Sequence, residues 1–364
     1  MNRRLFLSSV ALAPAALTSP LAHAAQAPKP SGSAPSTQSV TFDAMGELRM
    51  EYSAALIRDM LASGLNAITI TLCDPKPEGD EALALALDEL LAQNRWLAAN
   101  AQFFVKATSV TDIGRAQREG KLAVFYLFQN SVQFGSTLDV ARLRIELFHR
   151  LGLRSSQLTY NAKNPVASGC DVTGGLSEMG RGVVAHMNER RLLIDLSHAN
   201  LTTMRDAIAA SKTPVVISHT ACATIHPHRR NTDDGTLRLL ADRGGVVGIC
   251  QMRPFLTTKK TDNLDAYFDH LLHAIQVAGI EHVGIGSDRD HRVTSMTPEY
   301  LAELKREEGA QVRDNELPYF IAQLNGPRRM EVVREGLRKR GLGAGDLDKV
   351  MGGNVYRLYQ DVIG

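Results

Sequence analysis

The sequence predicts a (β/α)8 barrel with extra helices after its last strand. Eight short apolar runs rich in β-branched residues alternate with amphipathic helical patterns between Val40 and Ser287. Two of these runs, Leu192–Leu196 and Val215–Ser218, each carry a histidine just past their C-terminal end, His198 and His219, 21 residues apart, with a helix-like stretch between them. Such a β-α-β unit closes with a right-handed crossover and lays its strands parallel, so both imidazoles face one rim of the sheet. A doubly wound open sheet is the structural alternative. No GxGxxG follows the first strand, which removes its commonest functional version.

The chain begins with an address. Arg3-Arg4 precede Phe6-Leu7, an apolar run to Leu17 and the small-residue site Ala22-His23-Ala24. This order predicts a twin-arginine export signal over residues 1–24 and a periplasmic or secreted protein. A general secretion signal that carries two arginines is the alternative. The apolar run is too short to span a membrane, and no integral segment is expected once the signal is removed. Residues 25–38, rich in Pro, Ser and Ala, read as a flexible leader, and residues 39–364 as a single barrel domain. The expected strands are Val40–Asp43, Ala67–Leu72, Leu122–Phe128, Ser156–Tyr160, Leu192–Leu196, Val215–Ser218, Val246–Cys250 and His282–Ser287. Helices are expected at Ser53–Ser63, Asp80–Asn94, Val140–Leu151, Gly180–Glu189, Thr236–Arg243 and Leu264–Ala278. Beyond Asp288, Ser295–Leu317 and Gly326–Arg340 read as surface helices, and GDLDKVMGGNVYRLYQ as a closing helix.

Composition narrows the function. Removing residues 1–24 takes out Arg3 and Arg4 and no acid, leaving 39 Lys and Arg against 39 Asp and Glu. A neutral chain argues against nucleic acid or an anionic membrane as main partner and points to a small molecule. The four cysteines, Cys73, Cys170, Cys222 and Cys250, are scattered and form no CxxC pair, so this is not a disulfide scaffold. The sequence does not set the oligomeric state, and a homodimer is compatible with it.

In a barrel of this kind the reactive groups sit at strand C-termini. Those ends supply Met45 and Glu47, Cys73 and Asp74, Gln129 and Asn130, Tyr160 and Asn161, then His198, His219 and Asp288. Cys250-Gln251 reads as packing. Two imidazoles and several carboxyl or amide groups around one rim describe a metal-assisted hydrolase. Each histidine taken alone fits a structural role equally well, and each acid fits a solvated loop or a helix cap.

DLSH, then SH followed by RNTDD, then HVGIGSD, with GLSEMGRGVVAHMNERRLLIDLSH before and GGNVYRLYQ at the end, resemble the membrane (renal) dipeptidase family of zinc peptidases. The resemblance runs in order from Thr41 to Tyr359. It implies a (β/α)8 barrel with two bridged zinc ions that cleaves dipeptides, including ones with a C-terminal D-residue. It places metal ligands at His198, His219, Glu47 and Gln129, a carboxylate-binding arginine at Arg230 and a catalytic aspartate at Asp288. Tyr160 and Asn161 fall where substrate is faced. A local ion pair of Arg230 with Asp233 or Asp234 is the structural alternative for that arginine.

The departures from the family pattern are at the first ion's site. The family's His-x-Asp falls on Met45-Gly46-Glu47, its bridging glutamate on Gln129, and its substrate-facing histidine on Tyr160. A thioether is a soft ligand and an amide a weak one for Zn²⁺. One ion at His198 and His219 is therefore expected, where it would lower the pKa of a water and polarise a carbonyl. The leading function is a metal-dependent hydrolase of a dipeptide or related small amide. The alternatives are a barrel that only binds an amino-acid-like ligand, or lyase or isomerase chemistry using Tyr160 and Glu47 as proton carriers. The segment NPVASGCDVTGG, rich in turn formers, is expected over the barrel mouth with Cys170 and Asp171 near the pocket.

Overall fold

The protein is described by a computed structural model covering residues 39–308 and 312–364. The export signal and leader expected over residues 1–38 lie outside the described residues. Nine parallel strands form, β1 (Phe42–Gly46), β2 (Ala67–Leu72), β3 (Phe104–Lys106), β4 (Leu122–Phe128), β5 (Leu153–Gln157), β6 (Leu193–Asp195), β7 (Val216–Thr220), β8 (Val246–Ile249) and β9 (Val283–Ile285). β2 pairs with β4 along its whole length, Ala67 opposite Ala123 through Leu72 opposite Phe128. That pairing closes eight strands into a barrel, in the order β1-β2-β4-β5-β6-β7-β8-β9 and back to β1. β3 lies outside this count, alongside Leu122–Val124 at the start of β4. The fold class matches the sequence expectation.

The strands read as continuous apolar runs because both faces are covered, by barrel interior on one side and helices on the other. All seven residues of β4, LAVFYLF, are buried. Burying each Leu or Phe there contributes about 1.5–3 kcal/mol relative to an exposed side chain. The first helices are α1 (Ala54–Ala62), α2 (Gly79–Ala99), α3 (Val110–Arg118), α4 (Leu138–Leu151), α5 (Glu178–Glu189), α6 (Leu201–Ala210) and α7 (Asp234–Asp242), all but α3 on expected segments with shifted ends. Most start on a side-chain cap, for example Thr137 before α4, Ser177 before α5 and Asn200 before α6. After α8 (Arg253–Leu256) comes α9 (Leu264–Ala278), with the bounds expected.

Three expectations are corrected. β3 and α3 form where nothing was expected, since FVK is too short to show a period and α3 depends on the Ser109–Asp112 capping box. β5 starts and ends three residues earlier than expected, because Gly152 at φ 108° ends α4 and turns the chain directly into a strand. Its residues LRSSQ lack β-branching, and the buried Ser155 and Ser156 hydroxyls bond the carbonyls of Leu193 and Asn130 instead. Tyr160 consequently lies in the following loop. Finally, Ser295–Leu317 is not one helix but α10 (Pro298–Glu308) and a separate turn at Asp314–Glu316.

The end opposite the strand C-termini is plugged by the last helix. After α11 (Arg329–Lys339) and α12 (Ala344–Asp348), α13 (Asn354–Val362) brings Tyr359 against Phe42 and Phe125, with ring centroids 4.9 and 5.0 Å away. Ser39–Gly364 forms one compact unit, and among the described residues no helix is long and apolar enough to cross a membrane.

Two seams of the barrel are thin. β6 meets β7 in one registered pair, Asp195 with Val216, and β1 meets β9 in one, Asp43 with Ile285. Close approach of β7 to β8 and β9 also depends on glycine. A Cβ on Gly248 or Gly286 would sit 2.0 or 1.7 Å from the Ser218 carbonyl oxygen. Gly286→Ala is therefore expected to destabilise the fold by about 1–3 kcal/mol through overpacking. Denaturant unfolding against the parent chain measures this, and an unchanged midpoint would show that β7 can retreat without cost.

Candidate metal centre and substrate cavity

Burying a carboxylate is costly unless every lone pair finds a donor. Asp195, the last residue of β6, is fully buried and meets that requirement with five donors. Its Oδ1 accepts from the Ser197 backbone N–H and hydroxyl and from the Ser218 N–H, at 3.0, 2.9 and 3.0 Å. Its Oδ2 accepts from the Ser218 hydroxyl at 2.5 Å and the Gln157 amide at 3.2 Å. Asp43 of β1 repeats the pattern, accepting from the Ser287 N–H at 2.8 Å and its hydroxyl at 2.5 Å. Burial pushes the Asp43 carboxyl up to about 6 against the pull of those two hydrogen bonds. The three serines immediately precede His198, His219 and Asp288. Two buried aspartates thus fix three rim residues across the two thin seams.

The hydrogen bonds also fix the rings. His198 Nδ1 lies 2.7 Å from Asn161 Oδ1, an atom that can only accept, so Nδ1 carries the proton. His219 Nδ1 lies 2.9 Å from Ser218 Oγ, whose own proton points to Asp195, so this ring is also the Nδ1–H tautomer. Each Nε2 is left with a bare lone pair. The ring centroids are 5.0 Å apart, and His219 Nε2 is buried with no hydrogen-bond partner. Burial first, and the Arg230 guanidinium second, push both imidazoles well below their ordinary pKa, so they stay neutral.

His198 and Arg230 border a cavity of about 450 Å³ at the barrel mouth, while His219 is fully buried and outside its lining. Glu47, Gln129, Tyr160, Asn161, His198, Arg230 and Asp288 all line it. His198 and Asp288 hold positive φ, 68° and 53°, as does the cavity residue Cys73 at 58°. Backbone in that region is strained for a residue with a Cβ and concentrates at functional sites. Arg230 is 3% exposed, and its Nε and both Nη atoms are buried without a partner. The ion pair considered for it is absent: Asp233 caps α7 and binds Arg205, while Asp234 binds His273 and Thr224. Phe255 lies 5.5 Å from the guanidinium. A buried, unpaired fork of N–H donors facing a cavity is a receptor for a carboxylate.

The remaining expected residues are placed as follows. Met45 is fully buried in β1, and its carbonyl accepts from the Asp288 N–H at 2.9 Å. Glu47 is held by Arg49, whose Nε lies 3.0 Å from the carboxylate. Tyr160 stacks on His198 with centroids 4.1 Å apart and planes 25° from parallel. Asn161 lines the cavity but spends its carbonyl on His198. Burial raises the Asp288 carboxyl above its usual range, and Arg230 and Arg289 pull it back. The loop after Asn161 packs beside the site without lining the cavity: Cys170 N–H donates to the His198 carbonyl at 2.8 Å, and Asp171 pairs with Arg229.

Two neutral imidazoles with free Nε2 atoms suit a zinc-type ion. Among the described residues no group of three or more His, Cys, Asp or Glu is placed to hold one. The two Nε2 atoms could hold one such ion with its other positions left to water or substrate, and the neutral Gln129 and buried Met45 add neither charge nor a nitrogen ligand beside them. Sequence reasoning missed Asp195, Ser197, Ser218, Asp43 and Ser287; the available signal was an acidic residue inside an apolar strand run and a serine before each rim residue.

Comparison with known proteins identifies the family. Residues 36–308 match the family model described as membrane dipeptidase (peptidase family M19). An uncharacterised dipeptidase of Schizosaccharomyces pombe is 36% identical over 186 residues, covering 49% of this chain and 44% of that protein. The dipeptidase tcpJ of Claviceps purpurea is 29% identical over 262 residues, covering 70% of this chain and 55% of that one. The chain thus spans about half the length of these curated relatives. A crystal structure of an amidohydrolase from Pseudomonas aeruginosa superposes with a TM-score of 0.77 at 29% identity, covering 90% of this chain and 97% of its own. The chain belongs to the membrane dipeptidase family, peptidase family M19.

Proposed function

We propose that this protein is a metal-dependent hydrolase that cleaves a dipeptide or a closely related small amide. The observation that carries the proposal is a pair of bare imidazole nitrogens beside a buried guanidinium with no partner. Family membership and the dipeptidase relatives support it. One Zn²⁺ held by His198 and His219 is the proposed cofactor. When bound, it would supply Lewis-acid polarisation of the scissile carbonyl and lower the pKa of a water.

The chain's own residues do the rest. Arg230 anchors the substrate's terminal carboxylate in a bidentate pair, which orients the amide over the rim. Asp288, with its carboxyl raised by burial, takes a proton from the attacking water and returns it to the departing amine. Phe255 and the loop pinned by Asp171–Arg229 limit water around the anchored end. The Tyr160 ring, stacked on His198, holds that imidazole flat and carries no charge to the developing oxyanion. Turnover slower than a site with a cationic histidine at that position is the consequence.

Elemental analysis is expected to give close to one ion per chain, and His198→Ala or His219→Ala to remove it. Two tightly held ions, or retention in both variants, would sink the single-site reading.

Steady-state kinetics on a mixed dipeptide pool separate the two polar roles. Arg230→Lys is expected to raise KM for free-acid substrates, with amidated analogues already poor. Asp288→Asn is expected to lower kcat at least about a hundredfold while the ion is retained. Equal turnover of acids and amides, or near-normal kcat in the second variant, would remove the corresponding role.

The proposed site of action is the periplasm, on the strength of residues 1–24. Replacing Arg3-Arg4 by Lys-Lys is expected to leave precursor in the cytoplasm. Fractionation showing normal export would leave only a general secretion signal.

A further inference from the structure

Asp195 touches neither the cavity nor an imidazole, yet its bonds reach both histidines. Its Oδ1 faces two backbone N–H groups, from Ser197 and Ser218, and its Oδ2 faces the Ser218 hydroxyl at 2.5 Å. The Ser218 oxygen in turn faces His219 Nδ1, and the Ser197 hydroxyl accepts from the His219 backbone N–H at 3.0 Å. The seam these bonds cross has one registered backbone pair, so side chains carry most of its order. We propose that Asp195 is the positioning residue of the imidazole pair, acting through Ser218 to hold His219 in the one tautomer whose Nε2 can ligate an ion.

The direction of the proton decides this. An ionised Asp195 can only accept, so the Ser218 hydroxyl must donate to it and receive the proton of His219 Nδ1. Asp195→Asn reverses the chain. The amide oxygen takes the Oδ1 place opposite the two backbone N–H groups, and the NH₂ takes the Oδ2 place and donates to Ser218 Oγ. The Ser218 proton is then free to turn to His219 Nδ1, and the ring becomes the Nε2–H tautomer, which has no lone pair for an ion. The shape is nearly unchanged: the hydrogen-bond direction at Ser218 reverses, and the Gln157 amide turns so that its unpartnered Oε1 accepts from the new NH₂. Outer partners of ligating histidines typically carry ten- to hundredfold in affinity.

The inference rests on the single-ion reading, so two readouts are needed. Ring ¹⁵N shifts of His219 in ion-free, histidine-labelled full chain report the tautomer, and chelator competition with Zn²⁺ or Co²⁺ reports affinity. The parent is expected to show Nδ1–H. Asp195→Asn should show Nε2–H and bind the ion ten- to hundredfold more weakly, Ser218→Ala should lose affinity similarly, and Ser218→Thr should restore both properties. Parent-like tautomer and affinity in both Asp195→Asn and Ser218→Ala would overturn the proposal. If Asp195→Asn does not fold, the contrast between Ser218→Ala and Ser218→Thr decides alone. If the parent binds neither ion, the metal reading fails, and the ¹⁵N tautomers still decide whether Asp195 positions the ring.

Discussion

The structure depends on two carboxylates sealed inside the barrel. At most seams a backbone ladder holds neighbouring strands, as between β2 and β4. At the β6–β7 and β1–β9 seams the ladder shrinks to one pair, and Asp195 and Asp43 take its place. Each spans the seam by accepting both the backbone N–H and the hydroxyl of a serine on the other side. A charge in that position is stable only while every donor stays in place. The seams therefore have a single favoured geometry, and the residue after each serine inherits it. Positive φ at His198 and Asp288 is tolerated because the surrounding bonds leave these residues no other course.

That construction separates aim from contact. His219 is aimed by a serine and an aspartate that no ligand meets, and His198 by Asn161 from the loop after β5. The Arg230 N–H groups are left without a hydrogen-bond partner, and this is the opposite condition. A guanidinium that has been desolvated without a partner retains its full demand for an anion. The cavity is consequently polar where it must hold substrate and satisfied where it must hold shape.

Much of the fold was legible because barrel strands buried on both faces appear as apolar runs. Ala67–Leu72, Leu122–Phe128 and Leu264–Ala278 carry the bounds that the pattern gives. β5 was displaced because its serines look like a loop, while their hydroxyls are consumed by buried carbonyls. A polar residue inside a core is invisible to hydrophobic periodicity, and its partner is known only once the neighbouring strand is placed. The same limit hid Asp195 and Asp43, though both stand in apolar runs where an acid needs a reason. The rim residues were readable from their position after a strand, whereas their partners were not. Glu47 illustrates this, since Arg49 two residues later engages the carboxylate that position alone would assign to an ion.

Charge balance supports the proposal of one ion, rather than two, at the imidazole pair. Two dications about 4 Å apart repel by roughly 17 kcal/mol at an effective dielectric of 20, and bridging carboxylates offset that repulsion. Here Gln129 is neutral, Met45 is buried in the strand, and the Glu47 carboxylate is engaged by Arg49. Arg230 adds a positive charge close enough to depress both imidazoles. Asp288 and one substrate carboxylate offset that cation and half of a single dication, which is a tolerable excess for a cavity open to water. The neutral Gln129 and the buried Met45 thus offer a second ion neither a nitrogen ligand nor charge, which supports the proposal of one ion at the imidazole pair.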